Sequence, residues 1–224
     1  MEDPDSTLAF YTEQLRLLIW SGFFGPVDFQ YYMKDVSYDE EASPHLDDLR
    51  KFGEAEFTRK REAESSWPDR TDWDRLKDVF DALRQNHVLA LHNAGFTRSD
   101  AHGGAWDIIN RSPRKTWSGY CYYHEQDVEK AVEGMPLYIG YDVVRESNGA
   151  REELGNRIAT LLRLASFIVD WNGDPDKRLQ VTNLDWKKRT DWFQSDPPTD
   201  LNSVETIDTS PKPGLLARLF GKSS

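Results

Sequence analysis

The sequence predicts an α/β or α+β fold: a small mixed sheet flanked by helices, a C-terminal β-hairpin and a helical N-terminal segment. Three observations predict it. Short continuous apolar runs, such as Val88-Leu89-Ala90-Leu91, have the length and character of buried strands. Stretches with helical spacing separate them, so that helix and strand alternate over about 70 to 190. Aromatic residues are plentiful, with 8 Trp, 9 Tyr and 11 Phe, which argues against global disorder.

In order, the first helix runs from about Ser6 to Trp20. Leu8, Tyr11, Leu15, Leu18 and Ile19 recur at helical spacing, and Ser21-Gly22 and Gly25-Pro26 break the pattern. A short helix is expected around Val27 to Met33. Ser43 is expected to cap the next helix, with Pro44 at its first position and Leu46, Leu49, Phe52 and Phe57 as its stripe. Thr71 with Asp74 reads as a capping box before a helix carrying Trp73, Leu76, Val79, Phe80 and Leu83. Strands are expected at Val88 to Leu91, Gly119 to Tyr123, Leu137 to Tyr141, Ser166 to Trp171 and Arg178 to Trp186. The helices between them run from Arg98 to Asn110, His124 to Glu133 and Gly149 to Leu164. Asn172-Gly173 is a strong hairpin signal, so the last two strands should pair. Three regions follow: helices over 1–66 packing on the core, an α/β core over 67–192, and a disordered tail over 193–224 with a short amphipathic end.

The chain has 224 residues, enough for one sizeable core and marginal for two. The net charge is -11, the isoelectric point is about 4.9 and mean hydropathy is -0.73. A surface of that sign repels phosphate backbones, so nucleic-acid binding is not expected, whereas a basic protein partner would suit it. The single cysteine, Cys121, can form no internal disulfide. The acidic start Met1-Glu2-Asp3-Pro4-Asp5 is unlike a signal peptide, and no apolar run is long enough for stable membrane insertion. A cytoplasmic setting is expected.

Two motifs sit where a strand ends and a helix begins, the position at which open α/β sheets bind ligands. The first is Leu91-His92-Asn93-Ala94-Gly95 with Ser99 and Asp100; the second is Gly119-Tyr120-Cys121-Tyr122-Tyr123-His124 with Asp127. If their strands are parallel neighbours, His92, Asn93, Ser99, Asp100, Tyr120, Tyr122, His124 and Asp127 can share a polar pocket. In it a His oriented by an Asp could act as a general base. The competing reading makes both motifs structural, with Asn93 and Gly95 turning the chain and Thr97, Ser99 or His124 capping helices. Cys121, mid-strand between tyrosines, reads as a buried structural thiol. No metal and no cofactor is expected: there is no His-x-x-x-His pair, no Gly-rich phosphate loop and no Gly-x-Ser-x-Gly elbow. Asp170 to Val181 fails as a calcium loop, because the twelfth position is Val181 where a Glu is needed.

Both motifs, together with Val169-Asp170-Trp171-Asn172-Gly173 and Leu184-Asp185-Trp186, resemble a bacterial domain-of-unknown-function family, number 6891, over about 70 to 190. The resemblance implies the same α/β domain and a bacterial source, and brings no reaction with it. The first 66 residues fall outside it. The function expected is a non-enzymatic partner- or ligand-binding domain of the immunity or adaptor type, taking a basic protein or a small polar ligand. The alternative is a hydrolase-like enzyme using His92 and His124 with Asp100 and Asp127.

Overall fold

Period-two alternation of apolar and polar side chains marks the strands. Leu137, Ile139 and Tyr141 alternate with Tyr138, Gly140 and Asp142, and Leu179 and Val181 flank Gln180. The computed structural model describes residues 4–192, and the expected tail over 193–224 lies outside them. Two units emerge: one of residues 4–71 with 186–192, the other of residues 72–185.

The second unit carries the sheet. Its elements are α4 (Asp72–Gln85), β1 (Val88–Leu91), α5 (Arg98–Arg111), β2 (Gly119–Tyr122), α6 (Glu125–Val132), β3 (Leu137–Val143), α7 (Ala150–Leu164), β4 (Val169–Asp170) and β5 (Leu179–Val181). The order is β1-β2-β3-β5-β4. β1 and β2 are parallel; the remaining pairs are antiparallel, so the sheet is mixed as expected. The closing hairpin forms, but with shorter strands than expected. Asp170 pairs with Gln180 and β5 begins at Leu179, so the chain from Trp171 to Arg178 is a loop instead of a two-residue turn. Asn172 and Asp174 side chains there accept backbone N–H groups two residues on, at 3.2 and 3.0 Å, and hold an irregular turn in its place.

The register gives the sheet two unlike faces. On one, Ala90, Cys121, Tyr123, Ile139, Leu179 and Val181 are buried. α4 and α7 pack there: the Phe80 ring of α4 lies 5.5 Å from that of Tyr123 at a tilt, and Tyr141 and Trp171 crowd Gly155 of α7. Cys121 is fully buried, which pushes its thiol up to about 12 and fits the structural reading. On the other face stand Leu89, Leu91, Tyr120, Tyr122, Gly140, Tyr138, Gln180 and Arg178. There α5 covers β1 and β2 through Ala101, Ala105, Ile108 and Ile109.

The first unit is helical: α1 (Pro4–Ser21), α2 (Pro26–Val36), a 3-10 turn at Ser43–His45 and α3 (Leu46–Ser65). Leu15, Ile19, Phe29, Met33, Leu49 and Phe57 form its core. Ser43 does not cap α3; it opens the 3-10 turn, and His45 stands at the α3 N-cap with no side-chain cap bond. Residues 186–192 close the unit by capping the carbonyl end of α1. Trp186 Nε1 donates to Ser21 O at 3.0 Å and Lys188 Nζ to Gly22 O at 2.7 Å. Lys60, fully buried, adds a third donor, Nζ to Ile19 O at 2.7 Å. Cations suit that end of a helix, yet burial still draws the Lys60 pKa down to about 7. Among the described residues, no helix is long and apolar enough to cross a membrane.

Candidate functional site

The expected residues are sorted by sheet face. In the register Leu91 opposes Tyr122, so His92 follows onto the face of Tyr123. Its ring stacks on Phe80 at 4.5 Å, and Nδ1 lies 2.7 Å from the Tyr123 hydroxyl. This is a packed position beneath α4. His124, one residue past Tyr123, turns to the opposite face. Its Nε2 lies 3.1 Å from Asp127 Oδ2 and 3.4 Å from Arg178 Nη1. The pocket expected to unite both histidines does not form, because strand alternation sends them to opposite sides.

Asn93 (φ 46°) and Gly95 (φ 72°) take left-handed conformations and turn the chain into α5. A side chain at Gly95 would meet Asp100 Cβ at 2.6 Å. Thr97 caps α5: its hydroxyl accepts from Asp100 N–H, while Asp100 accepts from Thr97 N–H at 2.8 Å. Those bonds hold the Asp100 carboxyl below its ordinary range, and the nearby His124 adds to the effect. Ser99 is exposed, and the cap is made by Thr97 instead.

Asp127 is fully buried and organises one cluster. It accepts the His124 backbone N–H at 3.3 Å, and Arg178 Nη1 stands 3.0 Å from each carboxylate oxygen. The Arg178 guanidinium lies 4.8 Å above the Tyr138 ring. Burial lowers the His124 pKa, with Asp127 opposing and Arg178 reinforcing, so the imidazole is neutral at pH 7. A neutral ring donating Nε2–H to Asp127 leaves Nδ1 as an acceptor, and that atom is buried without a hydrogen-bond partner.

Tyr120 and Tyr122 meet in a second cluster around His102 of α5. Nδ1 is 2.7 Å from the Tyr120 hydroxyl and Nε2 is 3.0 Å from that of Tyr122. The Trp106 ring meets that of Tyr120 edge-on, with centroids 6.2 Å apart. Burial lowers the His102 pKa, with Arg98 reinforcing, and raises that of Tyr120 to about 12. Gly140 makes this possible: a Cβ there would stand 2.5 Å from Tyr122 Cζ, so only glycine lets the ring lie across β3.

These two clusters flank a cleft of about 470 Å³ on the half of the polar face that α5 leaves open. Arg98, Arg178 and Lys177 line it with Tyr138, Asn172 and Gln180, and Asp170 and Asp176 also border it. Arg98, His102 and Arg178 are absent from the sequence expectation. Arg98, His102 and Trp106 recur every four residues on α5, which puts them on one helical face. Arg178 falls in phase with Gln180 and opposite to Leu179. Both signals are present in the sequence. Among the described residues, no group of three His, Cys, Asp or Glu side chains is placed to hold a metal ion.

No curated protein and no solved structure matches the chain. A family model does match, over residues 4–190, and so takes in the N-terminal helices that the resemblance left outside; the chain belongs to the domain-of-unknown-function family DUF6891.

Proposed function

We propose that residues 72–185 act as a binding module whose ligand is a small polar molecule held in the cleft over β3 and β5. The observation that carries this reading is Arg178. It is a half-buried cation fixed at one nitrogen by a buried carboxylate and from below by an aromatic ring, on the wall of an open polar cleft. Fixing a polar group before the ligand arrives lowers the entropy cost of binding. Of the two occupants expected from the sequence, the small polar ligand is favoured over a basic protein, because three cations line the cleft. The hydrolase reading loses support from the separation of His92 and His124.

The test is a titration of the isotopically labelled full chain with phosphate, citrate, glucose and arginine in turn, followed by amide chemical shifts. Shifts concentrated at Arg98, Tyr138, Asn172 and Arg178 with at least one compound are expected. Shifts confined to other parts of the chain would overturn the assignment of the cleft.

A further inference from the structure

We propose that the cleft is an oxyanion site, in which Arg98 and Arg178 together clamp a carboxylate or phosphate group of the ligand. The inference rests on the binding reading above and narrows it to a chemical class.

Arg98 and Arg178 are the two arginines that line the cleft. Arg98 makes no ion pair with a carboxylate among the described residues. It is exposed, at the first turn of α5, on the wall of the cleft. Arg178 is held differently. Nη1 is engaged by Asp127, while Nη2 and Nε have no hydrogen-bond partner among the described residues. A planar guanidinium anchored at one nitrogen presents its remaining N–H groups as a fork, the geometry that matches two oxygens of a carboxylate or phosphate. Both guanidinium groups lie on the lining of the same cleft. Asp127 cancels one of the two charges, so the pair attracts a single anionic group.

The other wall is unlike this one. Asn172, Gln180 and Asp170 supply amide and carboxylate groups, and Asp170 has no cationic partner among the described residues. Those groups accept and donate hydrogen bonds to hydroxyl or amino groups. The ligand class is therefore a small organic oxyanion with a hydroxylated or amino-bearing body.

Isothermal titration of the full chain at low salt, with inorganic phosphate and separately with citrate, tests the clamp, with glucose as the uncharged arm. At least one anion should bind, and Arg98→Gln should weaken it by roughly tenfold or more, the effect of losing one charge-assisted contact. Arg178→Lys keeps a positive charge beside Asp127 and so protects folding, and it should weaken the same anion because an ammonium cannot fork. Binding of phosphate alone or of citrate alone supports the clamp and identifies the oxyanion. Anion affinity unchanged in both variants would overturn it. Glucose binding in the cleft with neither anion bound would also overturn it while leaving the binding reading intact.

Discussion

The two faces of the sheet differ in what holds them. On the α4 and α7 side, contact is apolar and complete: Cys121, Tyr123, Ile139, Leu179 and Val181 are buried, and even His92 is used as a ring stacked on Phe80. On the α5 side, packing covers β1 and β2 only. Hydrogen bonds run through and past that packing: His102 of α5 lies between Tyr120 and Tyr122 of β2, and Asp127 between His124 and Arg178. Packing dominates the first face, with the His92–Tyr123 contact of 2.7 Å as a polar exception, so its apolar positions tolerate fillers of the same volume. The second depends on particular donors and acceptors, the feature on which the proposed binding role rests.

The comparison can be broken most strongly on the apolar side. Phe80 is fully buried, so Phe80→Ala should cost about 3–5 kcal/mol in denaturant unfolding. An effect below about 1 kcal/mol would mean that face is not close-packed. On the polar side, Asp127→Ala leaves Arg178 without its counter-charge. Arg178 keeps 26% side-chain exposure, so water offsets part of the loss, and about 2–3 kcal/mol is expected in the same assay. Gly140→Ala should cost about 1–3 kcal/mol by overpacking. Its signature should be local: the Tyr122 and His102 ring resonances move while those of Phe80 and Tyr123 do not.

The smallest effect is in pH dependence, and it sharpens the contrast because both histidines concerned are on the polar face. His102 and His124 have pKa values held below the ordinary 6.5. Below pH 6.5 the unfolded chain therefore binds more protons than the folded one, and folding stability falls as pH is lowered through that value; above it the contribution is constant. Stability measured from pH 5 to pH 8 should show that slope, and His102→Gln should reduce it. A slope unchanged in that variant would remove His102 from the account.

How far the sequence reached follows the same division. Strand β1 was legible from Val88 to Leu91 because an uninterrupted apolar run has few alternatives, and α7 from Leu154, Ile158, Leu161 and Leu162 because their spacing is helical. β4 and β5 were read too long, since Ser166–Phe167 and Asn183–Leu184 look strand-like locally while only pairing decides where the ladder ends. Tyr120, Tyr122, His124 and Asp127 stand out in the sequence as polar candidates near a strand end, and the structure divides them between two clusters. Their neighbours His102 and Arg178 do not stand out, because an arginine entering a strand reads like any solvated charge until its neighbour is known. His92 does not join His124: the two motifs end on neighbouring strands, but each is one residue out of phase with the other.

By itself the sequence determined the mixed α/β class, the order of the elements and the burial of Cys121. Each of these depends on local periodicity and on the cost of leaving apolar surface in water, and both are written along the chain. Only the tertiary structure decided which side each polar residue serves. A residue's face depends on strand register, and register is set by distant partners: Leu91 against Tyr122, Tyr122 against Gly140, Tyr138 against Gln180. Those three pairings bring Arg98 and Arg178, 80 positions apart in number, to the walls of one cleft. Local pattern cannot carry that information, because a shift of one residue in any of them would turn the arginine away.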